Sequence, residues 1–275
     1  MRKIFLAFAL IISAVSYAQN DDKPFSHLAV GLNLGTNGIG FELASPVSPI
    51  IGVRAGFDFM PMFSVTKGIN YERPEVLNNV PKSFLEERYV NIPENGAKCD
   101  VVGKPHLTEA KILFDIYTSK TSSFHFTVGA MIGTKTVVSA KAADKVLAAV
   151  ELYNQDIQNG VVMPEPGYEN GITVDMEGYP VTINKGRVEL DMKVNAFRPY
   201  IGFGFGRPVP KKRIGCKFDM GVRFWGKPKV VDKYNGHEIS KNEPGCTKDL
   251  HDAIKIINGI PVYPTIKFSI FGKIF

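Results

Sequence analysis

Beyond its first 18 residues the chain has no apolar run long enough to cross a bilayer as a helix. Such a helix needs about 20 consecutive apolar residues, and every later stretch is cut short by Gly, Pro or a charge. Cysteine is scarce. Cys99, Cys216 and Cys246 are the complete set, and no CxxC or Cys/His spacing of a zinc site accompanies them. No run of five Lys or Arg occurs, and aromatics are not interleaved with basic clusters, so no nucleic-acid partner is expected. GxSxG, P-loop and HExxH motifs are missing. Gly202-Phe203-Gly204-Phe205-Gly206 has no following helix, and Gly/aromatic alternation within a strand explains it better than a nucleotide loop. His27, His106, His125, His237 and His251 share no element face by spacing, so the expectation is no metal and no cofactor.

What is present begins with an export signal. Arg2 and Lys3 precede an apolar run from Ile4 to Val15, broken only by Ser13. Ser16-Tyr17-Ala18 puts small residues at the positions a signal peptidase reads. The run of about 12 residues is too short for a membrane anchor. A Sec signal peptide is expected over 1–18 and a single mature domain over 19–275. Losing Arg2 and Lys3 removes two of the six net positive charges.

The chain has a mean hydropathy near zero, and beyond the signal its apolar residues alternate. Leu28, Val30, Leu32 and Leu34 share one face, and Ala29, Gly31 and Asn33 the other. Thr36-Asn37-Gly38 reads as a tight hairpin turn. The same period of two predicts eight strands, over 27–35, 38–44, 50–60, 108–118, 123–132, 188–206, 214–225 and 264–275. Within 188–206 the apolar parity switches. Either a bulge near Phe197–Pro199 accounts for it, or the first half projects beyond the membrane.

Between these strands lie three stretches where alternation lapses, 61–107, 133–187 and 226–263. They read as long loops holding more than half of the mature chain. Val146, Val150, Tyr153 and Ile157 repeat at helical spacing, which predicts one helix near 141–157. A second, capped by Thr247, runs to about Ile257 and stops at Gly259 and Pro261.

An even strand count suits a closed antiparallel barrel. The links also sort by rim. All three long ones fall on one rim, and the breaks at 45–49, 119–122 and 207–213 fall on the other. Outer-membrane barrels have short periplasmic turns and long extracellular loops. The expected fold is an all-β, eight-stranded, up-and-down transmembrane barrel with long extracellular loops containing short helices.

Three segments also carry a resemblance. They are Gly38-Ile39-Gly40-Phe41-Glu42-Leu43 leading to Val53-Arg54-Ala55-Gly56-Phe57, then Arg198-Pro199-Tyr200-Ile201-Gly202-Phe203-Gly204, and the closing strand from Ile266 to Phe275. The chain resembles the small eight-stranded outer-membrane proteins of the OmpA/OmpX type in their Bacteroidetes form. That resemblance implies outer-membrane lipid as surroundings, and a terminal aromatic read by the barrel-assembly machinery.

By parity the polar face carries Glu42, Arg54, Asp58, Lys111, Asp115, Lys217, Asp219 and Arg223. An eight-stranded barrel is just wide enough for side chains to fill, so these predict an internal ion-pair network and no wide pore. His125 belongs among them. Gly52, Gly56, Gly202, Gly204 and Gly221 are expected to make room for the long side chains. Cys99 and Cys246 lie on one rim and are the candidate disulfide pair, while Cys216 belongs to the apolar face.

Three functions remain open on sequence alone. The first is a non-enzymatic envelope-structural or surface-interaction barrel, meeting a partner through 61–107, 133–187 and 226–263. The second is a soluble lipocalin-like barrel around an apolar ligand. The third is an envelope enzyme with loop-borne chemistry.

Overall fold

The computed structural model describes residues 24–61, 63–71, 80–85, 88–89, 97–176, 179–210, 213–240, 242 and 244–274. The expected signal segment and Phe275 lie outside the described residues. In chain order the strands are β1 (Ala29–Gly35), β2 (Gly38–Ser48), β3 (Ile51–Phe59), β4 (Val65–Tyr71), β5 (Ala97–Pro105), β6 (Thr108–Tyr117), β7 (Phe124–Gly133), β8 (Thr136–Ala143), β9 (Asp175–Met176), β10 (Tyr179–Pro180), β11 (Arg187–Lys193), β12 (Phe197–Phe205), β13 (Ile214–Phe224), β14 (Lys229–Asp232), β15 (Glu238–Ile239) and β16 (Val262–Lys273).

Eight of them close into an antiparallel barrel in the order β1-β16-β13-β12-β7-β6-β3-β2. Alternation sets which way each side chain points. Along β6 and β12 every second residue is buried and its neighbours are exposed. The first hairpin turns on Thr36 and Asn37. Neither takes a positive φ; Gly38 alone does, at 97°. That is a turn followed by a left-handed glycine, a geometry in which the glycine forms a bulge. A Cβ on Gly38 would also meet the Phe59 carbonyl oxygen at 2.3 Å.

The three stretches expected as loops are in part strand: they supply β4, β5, β8, β14 and β15, which with β11 build a second, six-stranded sheet in the order β15-β14-β11-β8-β5-β4. Its order repeats that of the barrel wall. β4 follows β3, β5 precedes β6, β8 follows β7, β11 precedes β12 and β14 follows β13. Five adjacent barrel strands thus continue past the rim with short breaks, and β1, β2 and β16 do not. The stretch 188–206 is accordingly two strands. Val194, Asn195 and Ala196 separate β11 in the outer sheet from β12 in the barrel. The parity switch marks a change of sheet, with the first half of the stretch outside the barrel.

Two helices accompany the outer sheet, and the second packs on it. α1 (Lys145–Gln158) starts at Asp144, whose side chain accepts from the Leu147 amide at 2.8 Å. The strand β8 occupies 136–143, so the helix begins four residues later than its periodicity suggests. α1 buries Val146, Val150 and Tyr153 against Phe84, Tyr89 and Ile172. α2 (Lys248–Asn258) is capped by Thr247 and ends at Gly259. Its Leu250 and Ile254 pack on Val230, Ile239 and Tyr179. Trp225, Leu107, Val137 and Val194 form a separate cluster with Met60 and Tyr263 where the barrel meets the outer sheet.

Candidate functional site

The barrel wall is apolar outside and charged inside. Leu32, Phe41, Phe57, Phe114, Phe126, Ile132, Ile201, Phe203, Ile214, Phe218, Phe268 and Ile270 are all exposed, Leu32 by 64% and Ile214 by 68%. Inside, six cations (Arg54, Lys111, Arg198, Lys217, Arg223, Lys267) face five carboxylates (Glu42, Asp58, Glu109, Asp115, Asp219), every one of them buried.

Strand register explains how a narrow barrel holds them. Glu42 and Lys111 both pair across from Gly56. Asp58 pairs with Gly40, Asp115 with Gly52, Glu109 with Gly133, and Asp219 and His125 both with Gly204. Each long side chain therefore leans over a neighbour that has none. At Gly204 the space is already taken. A Cβ there would meet the Phe218 carbonyl oxygen at 2.2 Å, His125 Nε2 at 2.9 Å and Asp219 Oδ1 at 3.0 Å. Gly56, Gly202 and Gly221 are likewise crowded by neighbouring backbone carbonyls, whereas a Cβ on Gly52 would meet nothing closer than 3.8 Å.

The charges form two linked clusters. Arg54 bridges Glu42 at 2.9 Å, Asp115 at 2.8 Å and Asp219 at 3.1 Å. Glu42 also binds Lys111 at 2.7 Å and Lys267 at 2.5 Å. Lys111 pairs with Asp58 at 2.5 Å, and Thr127 donates to Asp115 at 2.8 Å. Nearer the outer sheet, Glu109 receives Arg223 at 2.5 Å and Arg198 at 2.9 Å. The turn residue Asn37 joins the two. Its amide donates to Glu109 at 3.2 Å and Asp58 at 3.5 Å, and its oxygen accepts from Arg223. Opposite charges at these distances offset part of the cost of taking ions out of water, although Asp115 Oδ2, Arg54 Nε and Arg223 Nε have no hydrogen-bond partner among the described residues.

Three ligand-type groups converge within 4.8 Å of one another: Asp115, His125 and Asp219. Their centre already holds a cation. Lys217 Nζ lies 2.7 Å from His125 Nε2 and 3.4 Å from Asp115 Oδ2, and also bonds Asp219. His125 Nδ1 sits 3.2 Å from the Ser123 carbonyl oxygen. If Nδ1 carries the proton and donates to that oxygen, Nε2 is left as the acceptor for the ammonium. The donor set is complete with Lys217 and gives no reason to invoke a metal ion.

No family model matches the chain, and no curated protein matches it. Several solved structures align with it at low similarity. Acinetobacter baumannii CarO2 aligns with a TM-score of 0.45 at 16% identity, over 92% of this chain and 100% of that one. Acinetobacter baumannii CarO gives 0.43 at 14%, over 90% and 97%. A major outer membrane protein from Thermus thermophilus gives 0.33 at 11%, over 90% and 97%.

Of the residues singled out by parity, Glu42, Arg54, Asp58, Lys111, Asp115, Lys217, Asp219 and Arg223 sit together in the barrel. Glu109, Arg198 and Lys267 were overlooked. Glu109 and Lys267 share the parity of Lys111 and Asp219 and are legible from it. Arg198 sits where the parity switches, so its facing was masked by the sheet change. Cys216 points outward and carries an unpaired thiol. The Cys99 side chain lies outside the described residues, and with it the candidate pair to Cys246.

Proposed function

We propose that the chain is a non-enzymatic outer-membrane barrel, with a role in envelope structure or in surface interaction carried by the second sheet. The observation that carries this reading is the reversal of sidedness. Large apolar side chains project outward around a closed barrel, while ions fill the inside. In water such a wall would expose far more contiguous apolar surface than a soluble monomer does. In hydrocarbon it is matched, and closure leaves no open backbone edge.

The same reversal argues against the lipocalin reading, whose apolar face must line a cavity. Here that volume is filled by Arg54, Arg223, Lys217 and their carboxylates, with Arg54 and Arg223 at 0% exposure. The packed interior likewise supports a barrel that does not conduct through its centre. The short-turn rim is then periplasmic and the second sheet extracellular. Export by the Sec signal at 1–18 and insertion by the barrel-assembly machinery belong to this proposal.

Fractionation combined with gel migration tests it. The protein should partition with outer membranes and run faster unheated than boiled in SDS. A mature chain that is monomeric and soluble without detergent removes the reading. Turnover of labelled lipid by the purified barrel would replace it with the enzyme alternative.

A further inference from the structure

Charge is distributed very unevenly between the two rims. The sequence segments 61–107, 134–196 and 226–262, whose described strands form the second sheet, hold 18 Lys and Arg against 20 Asp and Glu. The described residues of the opposite rim, 24–29, 45–51, 117–124, 205–210, 213–215 and 271–274, include no Asp or Glu; Asp21, Asp22 and Lys23 precede them in the sequence and lie outside the described residues. The rim's described cations are Lys120, Arg207, Arg213 and Lys273. Lys211 and Lys212, between Pro210 and Arg213 in the sequence, lie outside the described residues.

Arg207 is a strut. Its guanidinium donates to the carbonyls of Ser122, Pro49, Ser119 and Lys120, at 2.8–3.3 Å, and lies 4.2 Å over the Tyr117 ring. Four of the five N–H donors of an arginine are thereby spent on tying the turns together. Lys120, Arg213 and Lys273 make no ion pair among the described residues. An open cleft of about 460 Å³ lies between the turns, with Lys120, Lys273 and His27 on its walls.

Two of these cations stand next to outward apolar residues. Arg213 precedes Ile214 and Lys273 precedes Ile274, and both isoleucines are more than half exposed. Phe25, half exposed, is held on the same rim by its amide, which donates to the Pro46 carbonyl at 2.7 Å. The cations therefore sit where a greasy wall gives way to water. Long basic side chains at that level lay their stems along hydrocarbon and lift the charge to the headgroups.

We propose that this rim binds the anionic headgroups of phospholipid, with Lys120, Arg213 and Lys273 as the recognising cations. The inference rests on the membrane reading above. A soluble polyanion would be drawn by the same charge, but the adjoining apolar residues have a use only against a leaflet. Cations beside an anionic lipid surface act additively and are screened by salt.

The test uses the full mature protein in neutral detergent, with phosphatidylglycerol and phosphatidylcholine titrated in parallel and retained lipid counted by native mass spectrometry. The expected result is a roughly tenfold preference for phosphatidylglycerol, weakened by salt and lost in the combined variant Lys120→Gln, Arg213→Gln, Lys273→Gln. Unheated migration in SDS shows first that both proteins are folded barrels, and a chain that fails this step fails the membrane reading, not the lipid one. Equal retention of the two lipids overturns the proposal, as does unchanged selectivity in the variant. If a soluble polyphosphate displaces phosphatidylglycerol at equal phosphate concentration, the surface belongs to a polymer and the lipid assignment is wrong.

Discussion

At the scale of single residues, the strongest commitments are buried charges with several partners. Arg54 serves Glu42, Asp115 and Asp219 at once. Replacing it by Met leaves three carboxylates short of one cation in a place water does not reach. Breaking a buried pair from one side costs about 3–5 kcal/mol. Arg54→Met should therefore sharply lower the temperature at which the barrel loses its compact migration in SDS. Arg207 is a different case, since its partners are neutral carbonyls on the rim turns. Arg207→Ala should cost about 1–3 kcal/mol, and Arg207→Lys should recover little, because an ammonium cannot reach four acceptors.

In the outer sheet, Lys233 holds the Glu189 carboxyl below the usual glutamate range through their hydrogen bond. A lowered carboxyl contributes stability above its ordinary pKa and loses it as pH falls through the lowered value. The pair is half in water, so the effect is below about 1 kcal/mol. Hydrogen exchange in β11 should be slightly faster in Lys233→Gln at neutral pH, and the difference from the parent should fade below roughly pH 4.

At the scale of elements, glycine separates two kinds of strand position that sequence cannot tell apart. Gly204 and Gly52 both face inward opposite a carboxylate-bearing residue. Only Gly204 is pressed by a neighbouring carbonyl. Gly204→Ala should destabilise the barrel by about 1–3 kcal/mol, whereas Gly52→Ala should stay within about 0.5 kcal/mol. Thermal midpoints of the two variants check the contrast.

The same difference of kind shows what alternation could and could not reveal. Every barrel strand reads from its period of two, because one face meets charge and the other does not. In the outer sheet β11 reads that way, and β8 and β14 do not. β8 is only partly buried over most of its length, and β14 buries Val230, Val231 and Asp232 in succession. Neither leaves a period of two. Asn37 is a further instance. Its turn role is visible in the sequence, but its bond to Arg223 joins positions 186 residues apart, and nothing local announces it.

At the scale of the whole molecule, two bodies of β-structure share five strand paths and meet at a small apolar joint. Trp225 is the hinge pin of that joint. It is buried against Leu107, Val137 and Val194, its indole donates to the Ile260 carbonyl at 2.8 Å, and its ring lies 4.8 Å from that of Tyr263. It is also the only tryptophan in the chain, so its fluorescence reports on this place alone. The ion-filled barrel below touches it at one place, where the Arg223 guanidinium lies 4.5 Å over the Tyr263 ring, while the ion pairs from Arg54 to Lys267 use no residue of the joint. Trp225→Ala should then free the outer sheet while leaving the barrel intact. The expected result is faster proteolysis within 134–196 with unchanged heat-dependent migration. If both properties fail together, the two bodies fold as one cooperative unit, and the outer sheet is as much a part of barrel stability as the buried charges are.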